Sequence, residues 1–139
     1  MLFSWTILTV TLAVMPSVQA APKKNSMPAK NWIELDCWVA DVTVDGRLVD
    51  SNPELKYDWQ LTVQTCQSNY KGLANYDNGK GRCVSINPDG LSGPQWWANC
   101  VKQAANGWYD VDPSTGNIVI KHNGYKSSKA EGRGYAYSG

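Results

Sequence analysis

The chain has 139 residues, with 13 Lys and Arg against 12 Asp and Glu, for a formal net charge of +1. That length fits one domain, and so even a balance argues against a nucleic-acid or anionic-membrane partner gathered by long-range attraction. Four cysteines, seven tryptophans and seven tyrosines are the unusual part of the composition.

Leu2 to Val14 is mostly apolar, and Pro16 precedes Ser17-Val18-Gln19-Ala20, whose small residues at positions 18 and 20 suit signal peptidase. No Lys or Arg opens the chain, so the terminal amine supplies the usual positive charge. The apolar run is short for a bilayer span and is broken by Ser4, Thr6, Thr9 and Thr11. Residues 1–20 therefore read as a cleaved signal peptide, and the mature protein is expected to be secreted, extracellular and without stable membrane insertion. Residues 21–31, with Pro22, Pro28 and three lysines, read as a flexible arm. Residues 32–139 form the single folded domain. No Asn-x-Ser/Thr site for N-glycosylation occurs.

From Trp32 the pattern is that of a strand. Ile33, Leu35, Cys37 and Val39 share one face, Val42 and Val44 continue in the other phase, and a bulge near Ala40-Asp41 reconciles the two. Asp45-Gly46-Arg47 opens a turn. Tyr57, Trp59, Leu61 and Val63 then alternate with Asp58, Gln60, Thr62 and Gln64, which predicts a half-buried antiparallel strand. Residues 67–82 are rich in Gly, Asn and Tyr and read as a long loop or irregular hairpin between Cys66 and Cys83. A short strand follows over Cys83–Ile86, and Asn87-Pro88-Asp89-Gly90 is a turn.

Residues 92–107 carry the one helix expected. Ser92 or Gly93 caps it, Pro94 suits its first position and Gly107 its left-handed stop. Stepping about 100° per residue places Trp97, Cys100 and Ala104 in the middle of the apolar half, with Trp96 at its edge beside Gln103. A hairpin follows, Trp108–Val111 against Asn117–His122 around the Asp112–Gly116 loop. Gly124 to Gly139 reads as a last edge strand and a loose tail. The sum is a mainly β domain, a small antiparallel β-barrel or sandwich with one short α-helix and two disulfides.

Four cysteines allow three pairings. Cys37 is in the inward phase of the first strand and Cys100 in the inward half of the helix, so Cys37–Cys100 is expected to pin helix to sheet. Cys66–Cys83 then closes the polar loop.

Chemistry is harder to find. His122 is the one histidine, and neither Glu34, Glu54, Arg47 nor Arg82 is brought to it by spacing, so acid–base catalysis of the ribonuclease kind has little support. Asp36 with Asp41, or Asp110 with Asp112, make candidate glycosidase pairs, but solvated strand faces and turn capping explain them equally well. With the cysteines in disulfides no metal site is expected, and no cofactor motif is present. The expectation is a protein that is not an enzyme. Trp96, with Tyr70 and Tyr76, is the candidate binding surface, suited to stacking on sugars or to a protein hot spot. The alternative is a rim of half-buried rings that merely covers a small core, which is the stronger reading for each tyrosine alone.

With a leader, Cys37, Cys66, Cys83 and Cys100, the Asp112-to-Gly116 hairpin and no catalytic set, the chain resembles the fungal small secreted cysteine-rich proteins. The Cys-Ser-Asp-Gly and Cys-Gly-Thr-Cys-Trp segments of cerato-platanins, which share the cysteine count, have no counterpart here. The resemblance implies an effector or elicitor in virulence and plant immunity, of the type inducing a hypersensitive response and working by binding a host protein or receptor. The competing function is a carbohydrate- or cell-wall-binding module for which polysaccharide is the partner. A small secreted hydrolase or a protease inhibitor presenting the Cys66–Cys83 loop stands behind it. A homodimer through the last edge strand is a further expectation.

Overall fold

The computed structural model describes residues 27–137. Residues 1–20, read above as a signal peptide, residues 21–26 of the span read as an arm, and the last two residues lie outside the described residues. Met27, within the span read as arm, is buried against the core.

The elements run β1 (Asn31–Ala40), β2 (Val42–Val44), β3 (Arg47–Asp50), β4 (Lys56–Tyr57), α1 (Trp59–Asn69), β5 (Ala74–Asp77) and β6 (Arg82–Ser85). After them come β7 (Leu91–Ser92), α2 (Gly93–Asn106), β8 (Asp110–Val111), β9 (Ile118–Val119) and β10 (Lys129–Tyr137). Six strands make one antiparallel sheet in the order β10-β1-β6-β5, with β4 and β7 also paired to β1. The domain is mainly β with two disulfides, as expected, but it carries two helices and its sheet does not close into a barrel.

β1 organises the sheet. Along its length it faces β10, from Trp32 opposite Tyr137 to Ala40 opposite Lys129. It ends at Asp41, whose φ of 48° swings the chain into the β2–β3 hairpin. The irregularity expected near Ala40-Asp41 is therefore a break between two strands. Asp45 and Gly46, both at positive φ, close that hairpin as a two-residue turn requires.

Leu35, Cys37 and Cys83 share the inner face of the sheet, since Leu35 lies opposite Cys83. Cys37 is joined to Cys100 in α2 and Cys66 in α1 to Cys83. Both helices thus cover one face, each fastened to the sheet by sulfur, in the pairing the inward phases suggest.

The strand expected over residues 57–64 is instead the start of α1, a correction with a clear cause. Asp58 caps the helix, its carboxylate accepting the Leu61 N–H at 2.8 Å. All six residues from Leu61 to Cys66 are buried, so the polar ones alternating with Leu61 and Val63 face protein rather than water. Each finds a partner that the local sequence does not reveal. Cys37 N–H donates to Thr62 Oγ1 at 2.9 Å, and Gln64 clamps Tyr109, accepting its N–H at 2.9 Å and donating to its carbonyl at 2.6 Å. One turn earlier, Gln60 Oε1 accepts the Val111 N–H. These two glutamines dock the helix on the segment leading into β8. Gln64→Ala, which orphans two backbone groups at a buried contact, is expected to cost about 2 kcal/mol. An unchanged urea midpoint would show that water replaces the amide without loss.

Helix α2 has the predicted ends, with Ser92 as cap, Pro94 in its first turn and Gly107 as stop. Its buried stripe differs. Trp96, Cys100 and Ala104 lie against the sheet and are fully buried, while Trp97 is only half-buried. The reason is across the interface. A Cβ on Gly132 of β10 would come within 2.6 Å of the Trp96 ring and 2.8 Å of Trp97 Cα. The missing side chain on that strand is what admits the indole.

Candidate functional site

Of the residues expected to form a binding surface, the structure removes two. Trp96 is wholly buried, with its Nε1–H donating to the Asp36 carbonyl at 2.8 Å. Tyr70 packs on that indole with ring centroids 5.4 Å apart, and its hydroxyl accepts the Asn99 amide N–H at 2.9 Å. Both belong to the core, because the helix faces the sheet along the 96–100–104 stripe. Tyr76 alone stays half-open.

Tyr76 instead shares a cavity lining with two rings that a strand over residues 57–64 would turn to the core. Trp59, at the first position of α1, Tyr57 of β4 and Tyr76 of β5 line a continuous groove. It comprises two adjoining cavities of about 440 and 490 Å³ with Trp59, Tyr76, Asn78 and Pro113 in common. The β5–β6 hairpin forms one wall and the turn of Asp112 to Gly116 another. Cys66 sits in the lining, so its bond to Cys83 holds the α1 wall to the sheet beneath.

The groove is built rigidly. Tyr57 and Tyr76 hydroxyls are 3.3 Å apart, and the Tyr57 hydroxyl also donates to the Gly81 carbonyl. Gly81 is at φ +70°, and a Cβ there would stand 2.7 Å from that hydroxyl, so only glycine allows the contact. Burial raises the pKa of both tyrosines, and they remain neutral. Asp112 is held charged below its ordinary range by hydrogen bonds from Ser114. By contrast, the side chains of Gln67, Lys71, Asn75 and Asn78, all lining the groove, hydrogen-bond to no other described residue. They are donors and acceptors turned to solvent beside aromatic faces.

The open face of the sheet holds a second cluster. Asp36 is 4% exposed, and burial raises its carboxyl to about 6. The opposing pull comes from Trp38 Nε1–H at 2.8 Å, the Tyr135 hydroxyl at 3.4 Å and Arg82 at 3.8 Å. Two residues away Glu34 is lowered, held first by Lys80 and also by Arg82 at 3.0 Å. Two carboxyls with pKa values pushed apart are the mark of an acid–base pair. Here, however, both Asp36 oxygens face protein groups. The Arg82 and Arg133 guanidiniums lie over the Tyr135 and Trp38 rings at 3.5 and 3.7 Å and roof the site. The arrangement ties β6, β1 and β10 together and leaves a substrate no approach to Asp36.

The other candidate carboxylates are each engaged by a partner of their own. Asp41 pairs with Lys129 at 2.6 Å, and Asp112 serves its own turn. Asp110 accepts the Tyr125 hydroxyl at 2.9 Å and lies 3.7 Å from His122 Nε2. That contact brings a carboxylate to the lone histidine, which spacing alone does not reveal. The other ring nitrogen meets the Asn123 carbonyl, and neither residue lines the groove. Among the described residues no group of three or more His, Cys, Asp or Glu is placed to hold a metal ion. Comparison with protein-family models, with curated proteins and with solved structures finds no match.

Proposed function

We propose that this protein is an exported effector or elicitor that acts on a plant host by binding rather than by catalysis, and that the Trp59–Tyr76 groove is its binding element. The observation that carries the reading is the groove itself: fixed aromatic faces beside four polar side chains that bond to nothing else among the described residues. Sites for small ligands are commonly concave, with a few polar groups among apolar ones, and hundreds of Å³ in volume. All four cysteines are in disulfides, and no helix among the described residues is long and apolar enough to cross a membrane. Both facts are compatible with work outside the cell.

The test is infiltration of purified protein into leaves. Wild type and Ile120→Ala, an exposed change outside the groove, are expected to elicit a defence response. Trp59→Ala, with an unaltered circular dichroism spectrum, is expected to lose most of it. Equal potency of Trp59→Ala would remove the groove from the function. No response to wild type, together with undiminished virulence on deletion, would end the effector reading.

A further inference from the structure

We infer that the groove takes an uncharged oligosaccharide, with sugar rings lying on Trp59 and Tyr76 and hydroxyls bonded to Asn75, Asn78 and Gln67. This rests on the groove being the binding element, and it names the ligand class.

Charge comes first. The ionic groups lining the groove are Lys71, Lys80 and Asp112. Lys80 is engaged by Glu34, which leaves one cation and one anion. A phosphate, a nucleotide or a polyanion would find no cluster of positive charge to offset its desolvation.

Polarity comes second. An apolar ligand would strip water from three exposed amide side chains and return no hydrogen bond to them. Carboxamides carry a donor and an acceptor side by side, which matches neighbouring hydroxyls on a sugar. The face of a pyranose ring that bears axial hydrogens is apolar and suits a flat aromatic surface.

Shape comes third. Two adjoining open cavities, sharing Trp59, Tyr76, Asn78 and Pro113, offer room for a chain rather than a closed pocket for one small molecule. An extended peptide is the rival occupant, since β5 is an edge of the sheet. That strand is only four residues long, and so offers few backbone bonds to an added strand. The rings are also held before any ligand arrives, by the Asp58 cap and the Cys66–Cys83 bond. Such preorganisation reduces the ordering cost of binding.

The experiment is calorimetric titration of the mature, oxidised protein with hexamers of β-linked glucose and of N-acetylglucosamine. Oligogalacturonate serves as the acidic comparison. At least one neutral hexamer is expected to bind, and Trp59→Ala to weaken it roughly tenfold. Asn78→Ala, an exposed change with no protein partner to lose, should weaken it several-fold. Tighter binding of oligogalacturonate, absence of binding by every neutral chain, or full affinity in both variants would overturn the inference. The two proposals fail separately. If Trp59→Ala is inactive in leaves but no glycan binds, the groove remains functional and its ligand is a protein segment. If a neutral glycan binds through Trp59 while the variant still elicits, the sugar inference stands and the effector role of the groove falls.

Discussion

Replacing Cys37 and Cys100 together by alanine is expected to lower the free energy of unfolding by about 4 kcal/mol. The bond closes a segment with a sequence separation of 63, against 17 for Cys66–Cys83, so it restricts the unfolded chain more. It also joins the middle of β1 to the middle of α2, with both residues fully buried. Stabilities of domains this size are on the order of 5–15 kcal/mol, so the loss is a large part of the whole. Denaturant unfolding of the double variant, compared with Cys66→Ala/Cys83→Ala, measures it. A loss smaller than that of the shorter loop would show that the unfolded chain, reduced or not, is already compact.

Asp36→Asn is expected to abolish a loss of stability that the wild type suffers between about pH 4 and pH 6. The carboxyl has an ordinary pKa of 3.8 and is raised to about 6 in the fold, because burial disfavours its charge. Its folded-state pKa is raised, so the folded protein binds the proton more tightly than the unfolded chain. The resulting stability is complete below 3.8 and is lost as pH climbs to about 6. The loss amounts to as much as about 3 kcal/mol. Asn stays neutral throughout and keeps an acceptor for Trp38 and Tyr135. The variant should equal the wild type near pH 4 and exceed it at pH 7. Glu34, lowered by Lys80 and then Arg82, works with the opposite sign and below its reference value of 4.5, leaving the upper part of the window to Asp36. Of the groups that face the carboxyl, Arg82 and Arg133 stay cationic and Tyr57, Tyr76 and Tyr135 stay neutral across that range. Glu131, bound to Arg133, is common to both proteins and cancels in the comparison. Thermal melts at pH 4, 5, 6 and 7 decide it, and parallel curves for the two proteins would sink the assignment.

What could be read from the sequence follows how local the deciding interactions are. Ser92, Pro94 and Gly107 bracket α2 with signals contained within one element, and its ends match. The sulfur pairing follows from two short-range phases, that of β1 and that of the helix. The start of α1 does not, because Tyr57 to Gln64 alternates as a strand does. The choice falls to Cys37 N–H on Thr62 and to Tyr109 in the grip of Gln64, partners 25 and 45 residues distant. Asp58 at the cap position is the one local hint. The error carries into the site. Read as a strand residue Trp59 belongs to the core, whereas as the first residue of α1 it stands at the mouth of the groove beside Tyr76. Trp96 is misplaced for a related reason, since a helical projection is blind to Gly132 on a strand thirty-odd residues later in the chain.

The first and last strands of the domain are neighbours, Trp32 beside Tyr137. The longest ladder among the described residues therefore cannot begin until β10, about ninety residues after β1, has been delivered. Pairings of such wide separation are slow to form. Under the proposed export, in which the chain would be threaded unfolded through a translocation pore, that delay would be an advantage: the lock would be assembled only on the far side.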